Sequence, residues 1–367
     1  MNAKIVKLFW FYRAIMLIGL FAFSGCEKED KNPSVKEDMV PKTVRTANPN
    51  ASAEAKAVLQ YFVSLPNRQE NRVISGQQIS TPKNYESMVK ALYDSTGMWP
   101  AMLGGDYIGI TPENMNYSER NQFFIDYFKS GGLLKISWHS NNPFNDEDTW
   151  NTDDVNLIEL LTPGTNVNKK WMAQLDIIAA ALTQLRDSGV VVIWGPFHEM
   201  NGGWFWWGGR DQAEFVRLWR HMFDYFTNDK GLDNLLWLFP PNSTYGNGIK
   251  PVDYYYPGNE YVDIVGLSVY DDGVEAGGYD LLLATGKPFG FDEFGPSTHS
   301  DGGPAFAWKG RWSNMTLINS IRDRYPKTSF VLYWSSWTGA KVGIVDNRNA
   351  REFMKDPWII SREDNNW

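Results

Sequence analysis

Apolar runs broken at regular intervals by turn residues set the first expectation. Val190-Val191-Val192-Ile193, after Gly189, is β-branched and apolar throughout, the pattern of a strand buried on both faces. Together with that run, extended to Val190–Phe197, eight segments predict strands: Arg72–Gly76, Trp99–Gly104, Leu133–Trp138, Leu235–Phe239, Val262–Val269, Pro288–Glu293 and Ser329–Trp334 are the others. Between them the apolar period lengthens. Trp171–Ser188 sets Leu175, Ile178, Ala179, Leu182 and Leu185 on one face and stops at Gly189. Asp211–Phe226 sets Phe215, Leu218, Trp219, Met222, Phe223 and Phe226 on one face, with Asp211 and Glu214 close to a capping box. Tyr117–Ser130, Ser313–Tyr325 and Ser52–Val63 predict further helices. Strands alternating with helices predict a (β/α)8 barrel, one catalytic domain over 51–367. A doubly wound open sheet is the alternative, but no Gly-rich nucleotide turn follows the first strand. The fifth and sixth connections are short and poorly patterned as helices. Long loops follow the third, fourth and eighth strands, where a barrel builds its site.

The N-terminus follows a different pattern. Lys4, Lys7 and Arg13 precede a short apolar run, Ala14–Phe23, then Phe23-Ser24-Gly25-Cys26. This predicts a signal peptide over 1–25. It resembles a bacterial lipoprotein signal, which implies lipidation at Cys26 and an outer-membrane lipoprotein on the cell surface or the periplasmic face. An ordinary secretory signal with an incidental cysteine is the alternative. Cys26 is the only cysteine, so no intrachain disulfide forms. Residues 26–50 are polar and charged, with too few apolar side chains to build a core, and predict a disordered tether.

Composition narrows the chemistry. The net charge of −8 and the lack of a basic run argue against nucleic acid. The 17 tryptophans favour a groove for flat, hydroxyl-rich ligands. Trp194 to Gly209 reads WGPFHEMNGGWFWWGG and puts His198-Glu199 at the end of the fourth strand among indoles and glycines. An apolar surround raises a glutamic acid's pKa, so it can hold a proton near neutrality, and indoles offer platforms for sugar rings. The plain alternative is a buried Glu paired to an Arg beside an aromatic patch. Strand ends three, six, seven and eight carry His139, Tyr270, Glu293 and Trp334. Glu199 and Glu293 would face each other across the barrel mouth, the pair of carboxyls that glycoside cleavage needs. Taken singly, His139 and Tyr270 also fit satisfied core polar groups, Trp334 a barrel plug, and Trp206 and Trp207 fold packing. Alternation points Asp292 away from the site, as a structural residue, and His221 reads as structural too. His299 sits in a loop with no motif. HEMNG lacks the second His of a zinc-protease helix, and no Gly-x-Ser-x-Gly elbow occurs, so neither a metal nor another cofactor is expected.

From about residue 55 to 360 the chain resembles glycoside hydrolase family 26, mainly β-mannanases. The carriers are His198-Glu199 with Asn201-Gly202, Trp204 and Trp206-Trp207-Gly208, then Trp138-His139, Tyr270, Glu293 in FDEFG, and Trp334. The resemblance implies Glu199 as acid/base and Glu293 as nucleophile, kept ionised by a hydrogen bond from Tyr270. It implies His139 and His198 as sugar contacts, Trp204 on the leaving-group side and Trp334 under the sugar at the cleavage point. Some relatives place Arg after that tryptophan; here it is Ser335. The expected protein is a monomeric, lipid-anchored, retaining β-mannanase acting on β-mannan. Family alternatives are β-xylanase, mixed-linkage β-glucanase and release of mannobiose from chain ends. A glycan-binding lipoprotein without catalysis is the alternative of another class.

Overall fold

The computed structural model describes residues 45–79, 82, 84–243, 248–296 and 310–367. The expected signal peptide, Cys26, most of the tether and His299 lie outside them. Eight parallel strands close on themselves: β1 Val73–Gln78, β2 Met102–Asp106, β3 Leu133–Trp138, β4 Val192–Pro196, β5 Leu235–Phe239, β6 Ile264–Tyr270, β7 Phe289–Gly295 and β8 Thr328–Tyr333. β1 pairs with both β8 and β2, which closes the (β/α)8 barrel and excludes the open sheet. A short β9, Ile359–Ile360, pairs with Val73 and Ile74, below the level where β2 meets Gly76. It fills the seam of the barrel, and two residues carry too little pattern to announce it.

The helices form where the 3.6 period and the caps agree. Helix Asn166–Asp187 starts five residues before the apolar stripe, because the Thr165 hydroxyl accepts the Asn168 N–H at 3.1 Å. Its buried face carries Trp171, Leu175, Ile178 and Leu182 against the barrel. Trp171 stacks on Trp138 of β3 with ring centres 5.7 Å apart and planes 15° apart. Each such buried side chain contributes roughly 1.5–3 kcal/mol. Asp211 caps helix Gln212–Asp224 by accepting from Ala213 and Glu214. Among the described residues, the fifth connection holds a 3-10 turn, Asn259–Tyr261, and the sixth a five-residue helix, Tyr279–Leu283.

Two expectations are corrected. Strict alternation points Asp292 away from the site, to the side opposite Glu293, but β7 carries an irregularity. Phe291 pairs with Leu267 and Glu293 with the next residue, Ser268, so Asp292 is the extra residue of a bulge. Asp292 and Glu293 therefore both face inwards. Asp292 meets Lys135 of β3, opposite in the barrel, at 3.0 Å with both side chains fully buried. The structural role expected of Asp292 stands; its direction does not. The tether also ends sooner than Asn50. The Ala47 N–H donates to Asp263 at 2.6 Å, and Asn48 is buried. A buried carboxylate needing donors fastens the chain there.

Candidate active site

The end of β4 makes a left-handed turn at residues without a glycine. Phe197 has φ 52° and Glu199 φ 56°. Such φ values cost energy for a side-chain-bearing residue and persist only where neighbours over-determine them. Here the Glu199 N–H donates to Pro240 O at 2.8 Å, and Phe197 is wedged among Trp171, Trp206, Trp207 and Phe215. The turn presents the Glu199 carboxyl to the mouth with both oxygens held. Trp204 Nε1 donates to Oε2 at 2.7 Å and Asn242 Nδ2 donates to Oε1 at 2.9 Å. Trp204 reaches Glu199 because residue 202 is glycine: a Cβ there would lie 2.1 Å from the indole ring. Trp206 and Trp207 are fully buried and donate to Ser140 O and His198 O. They are packing, the plainer of their two readings.

Glu293 is held more sparingly. Tyr270 Oη donates to Oε2 at 3.2 Å, while Oε1 is buried with no protein partner. Burial pushes the Glu293 carboxyl well above the usual range, and the charge of Glu199 pushes the same way, with Lys135 opposing. Burial raises Glu199 as well, offset by the donors from Asn242 and Trp204. The sequence reading has Tyr270 tipping the negative charge onto Glu293. With two nitrogen donors on Glu199 and one phenol on Glu293, the free site leans the other way. The Tyr270 hydroxyl itself stays protonated, since burial and the charges of Glu293 and Glu199 raise it well above its ordinary value.

A histidine chain flanks the pair. His139 Nδ1 lies 2.5 Å from Asp106 Oδ2, and His139 Nε2 lies 3.0 Å from His198 Nε2. His139 thus joins Asp106 through Nδ1 and His198 through Nε2, with one ring nitrogen of the second contact donating and the other accepting. Burial pushes the Asp106 carboxyl up, but the His139 imidazole and the N–H groups of His139 and Ile108 outweigh it, and it ends below the ordinary range. Burial, with His139 and Lys135 nearby, holds His198 well below its usual value, so it is neutral. His139 is 6% exposed and His198 1%; His198 spends Nε2 on His139 and packs on Phe205. The half-buried Trp334 lies with its ring 6.2 Å from that of His139, and the exposed Trp150 5.6 Å from it.

Two inward carboxyls from β4 and β7, indoles around them and a histidine floor suit acid/base work on a sugar. Comparison with known proteins decides the family. A profile of glycosyl hydrolase family 26 matches residues 47–364. The chain belongs to this family. A mannan endo-1,4-beta-mannosidase of Bacillus subtilis is 35% identical over 341 residues, 87% of this chain and 89% of that one. The solved structure of a Bacillus subtilis mannanase superposes with a TM-score of 0.77 at 31% identity, covering 88% of this chain and 96% of that one. Endoglucanase H of Acetivibrio thermocellus is a more distant relative, 26% identical over 250 residues, 61% of this chain and 24% of that one. This member of family 26 is thus a glycoside hydrolase.

The structure brings Glu199, Glu293, His139, His198, Trp204, Tyr270 and Trp334 to one end of the barrel. The sequence reading omitted Asp106 and Asn242, which follow the same rule as the residues it found. Asp106 is the last residue of β2, and Asn242 follows β5 after Pro240-Pro241. A polar side chain at the C-terminal end of an apolar strand was the signal, left unread at strands two and five.

Proposed function

We propose that the protein is an endo-acting, retaining β-1,4-mannanase working on mannan, glucomannan or galactomannan. The nearest support for the substrate is the naming of its relatives as mannan endo-1,4-beta-mannosidases. The observation that carries the roles is the asymmetry of the two carboxyls. Glu293 has one oxygen held by Tyr270 and the other buried and free, as an attacking oxygen must be. Glu199 has a donor on each oxygen, which favours its carboxylate, the form that takes a proton from water in the second step.

In the first step Glu293 Oε1 bonds to the anomeric carbon, the glycosidic C–O bond breaks, and Glu199 protonates the departing oxygen. In the second, the Glu199 carboxylate takes a proton from water, whose oxygen attacks the same carbon and frees Glu293. Two inversions retain the configuration. The coupled pair titrates as a unit, and turnover draws on the form with the proton on Glu199. His139 contacts the sugar with His198 and Asp106 fixing its ring, Trp334 underlies the sugar at the cleavage point, and Trp204 borders the leaving group. Cys26 is the lipidated residue that tethers the enzyme to the outer membrane.

The test is NMR of the first-formed reducing ends from mannan, beside reducing-sugar release from glucomannan, xylan and lichenan. A β-anomer formed first and a clear preference for mannan are expected. An α-anomer would overturn retention, and faster xylan or lichenan cleavage would overturn the substrate. Membrane fractionation of Cys26→Ala checks the anchor: the enzyme should stay active and leave the membrane.

A further inference from the structure

Asn242 has no role in the reading above beyond its contact with Glu199, yet its position is unusually well determined. β5 ends in Phe239, and Pro240-Pro241 then limits the backbone ahead of Asn242. The segment is stitched on both sides. Pro240 O accepts the Glu199 N–H at 2.8 Å, while Pro241 O accepts the Ser268 N–H at 3.0 Å. Asn201, two residues past Glu199, then clamps the Asn242 backbone: its Oδ1 accepts the Asn242 N–H at 2.8 Å and its Nδ2 donates to Asn242 O at 2.8 Å. Nδ2 also donates to Lys250 O at 3.0 Å. These backbone partners leave no doubt about which way the Asn201 amide faces. One loop therefore carries the acid and, through Asn201, the residue that grips it.

The geometry points to Asn242 as the positioning residue of the acid/base: it fixes the plane of the Glu199 carboxyl and directs its proton to the cleft. This rests on the reading of Glu199 as acid/base. A carboxyl group offers about four lone-pair sites. The amide of Asn242 occupies one on Oε1 and the indole of Trp204 one on Oε2, so the proton must sit on a remaining site. Asn242 is half-buried, at the edge of the mouth rather than in the core. After the proton has gone, the same N–H strengthens into a charge-assisted bond to the carboxylate and readies it as the base of the second step. Asn242 touches no reacting atom; it acts through Glu199.

The test compares kcat/KM on mannan with that on an aryl β-mannobioside whose dinitrophenolate leaving group needs no proton. Wild type, Asn242→Ala, Asn242→Asp and Glu199→Ala are measured across pH. For Asn242→Ala the expected loss on mannan is about 10- to 100-fold, inside the 10²–10⁴ that general acid catalysis supplies in all. The aryl substrate should change by no more than about twofold, since its first step bypasses the acid. The basic limb of the mannan profile should rise, because the carboxylate has lost a donor. Asn242→Asp keeps the shape and the Asn201 clamp, so it folds, and should show the same selective loss with the limb raised further by the added charge. Equal losses on both substrates in the Asn242 variants, or none on mannan, overturn the proposal. Equal losses in Glu199→Ala overturn the acid/base reading itself, whatever Asn242 does.

Discussion

Asp292 and Glu293 are neighbours on one strand, both carboxylates, both buried and both facing into the barrel, yet the barrel treats them in opposite ways. Asp292 lies in the interior layer and meets the ammonium of Lys135 at 3.0 Å. Lys135 also donates to Ser137 at 2.6 Å, while Asp292 is met by charge alone, with no hydrogen bond to either oxygen among the described residues. Glu293 lies at the mouth and meets a like charge in Glu199, with one phenol as donor and one oxygen left over. Burial raises both groups, but Lys135 relieves Asp292 and Glu199 aggravates Glu293. A bulge makes the contrast possible by turning successive residues to the same side. The lower carboxylate faces a cation inside the barrel, and the upper one faces a second carboxyl, which is the condition of a reactive group.

The most severe way to break the upper pair is Glu293→Ala. Turnover should fall by about 10⁵-fold on every substrate, activated or not, because no covalent intermediate forms. Thermal stability should hold or rise, since a buried carboxyl beside a like charge is removed. Azide or formate should restore part of the rate with an inverted product. Trapping wild type with a fluorinated mannobiosyl donor should label the peptide holding Phe291 to Gly295 in mass spectrometry. A label elsewhere would sink the assignment.

The lower pair should respond in the opposite sense. Asp292→Ala leaves the buried Lys135 without its carboxylate partner, at a cost of about 3–5 kcal/mol in urea unfolding. Joining Asp292→Leu to Lys135→Met should recover most of that, because apolar residues often replace a buried ion pair without loss. An Asp292→Ala protein as stable as wild type would show that the interior pair does not hold the barrel.

Asp263 supplies a third case, a buried carboxylate held by backbone N–H groups. It accepts backbone N–H bonds from Ala47 at 2.6 Å and Trp237 at 2.8 Å. Burial wins over these donors and over Lys287, and the carboxyl is pushed up to about 6. Its unfolded value is near 4, so between those values the folded state binds more protons than the unfolded one. Stability from this group is therefore full below about pH 4 and declines as pH rises through about 6, by roughly 2–3 kcal/mol at most. Asp263→Asn should remove that slope from melting curves taken across the window. It should also lower stability at acid pH, as one N–H loses its acceptor. An unchanged slope would place the titration elsewhere.

The three carboxylates also show what was legible beforehand. The eight strands were visible because parallel strands buried on both faces are mostly apolar. The mouth residues were visible because polar side chains end apolar strands. The bulge was not, since FGFDEFG alternates on paper whether or not a residue is inserted. Nor was the left-handed turn at Phe197 and Glu199, which tertiary contacts impose on residues that do not favour it. The Lys135–Asp292 pair joins strands three and seven, far apart in the chain, and no local spacing records it. Asp106 and Asn242 were within reach of the rule that found His139 and Glu199.

The mildest test acts on the hydrogen bond that Tyr270 gives Glu293, the single one on that carboxyl among the described residues. Tyr270→Phe removes the hydroxyl at 3.2 Å from Oε2 and leaves the ring. Hydrogen bonds to charged groups contribute about 1.5–3 kcal/mol, and one this long belongs at or below the lower end. About 1.4 kcal/mol corresponds to one pH unit. Loss of a donor to the carboxylate raises a pKa already held high by burial and by Glu199. Since Glu293 must be ionised to attack, kcat/KM falls as pH drops through that pKa, and the acidic limb of the variant should lie about one unit above that of wild type. The deficit on mannan should therefore be about tenfold on the acid side and shrink towards the plateau, where Glu293 is ionised in both proteins. A constant deficit at every pH would assign Tyr270 to holding the sugar. An unmoved limb with full activity would show that Asp292 and Glu293 differ by their charged partners alone.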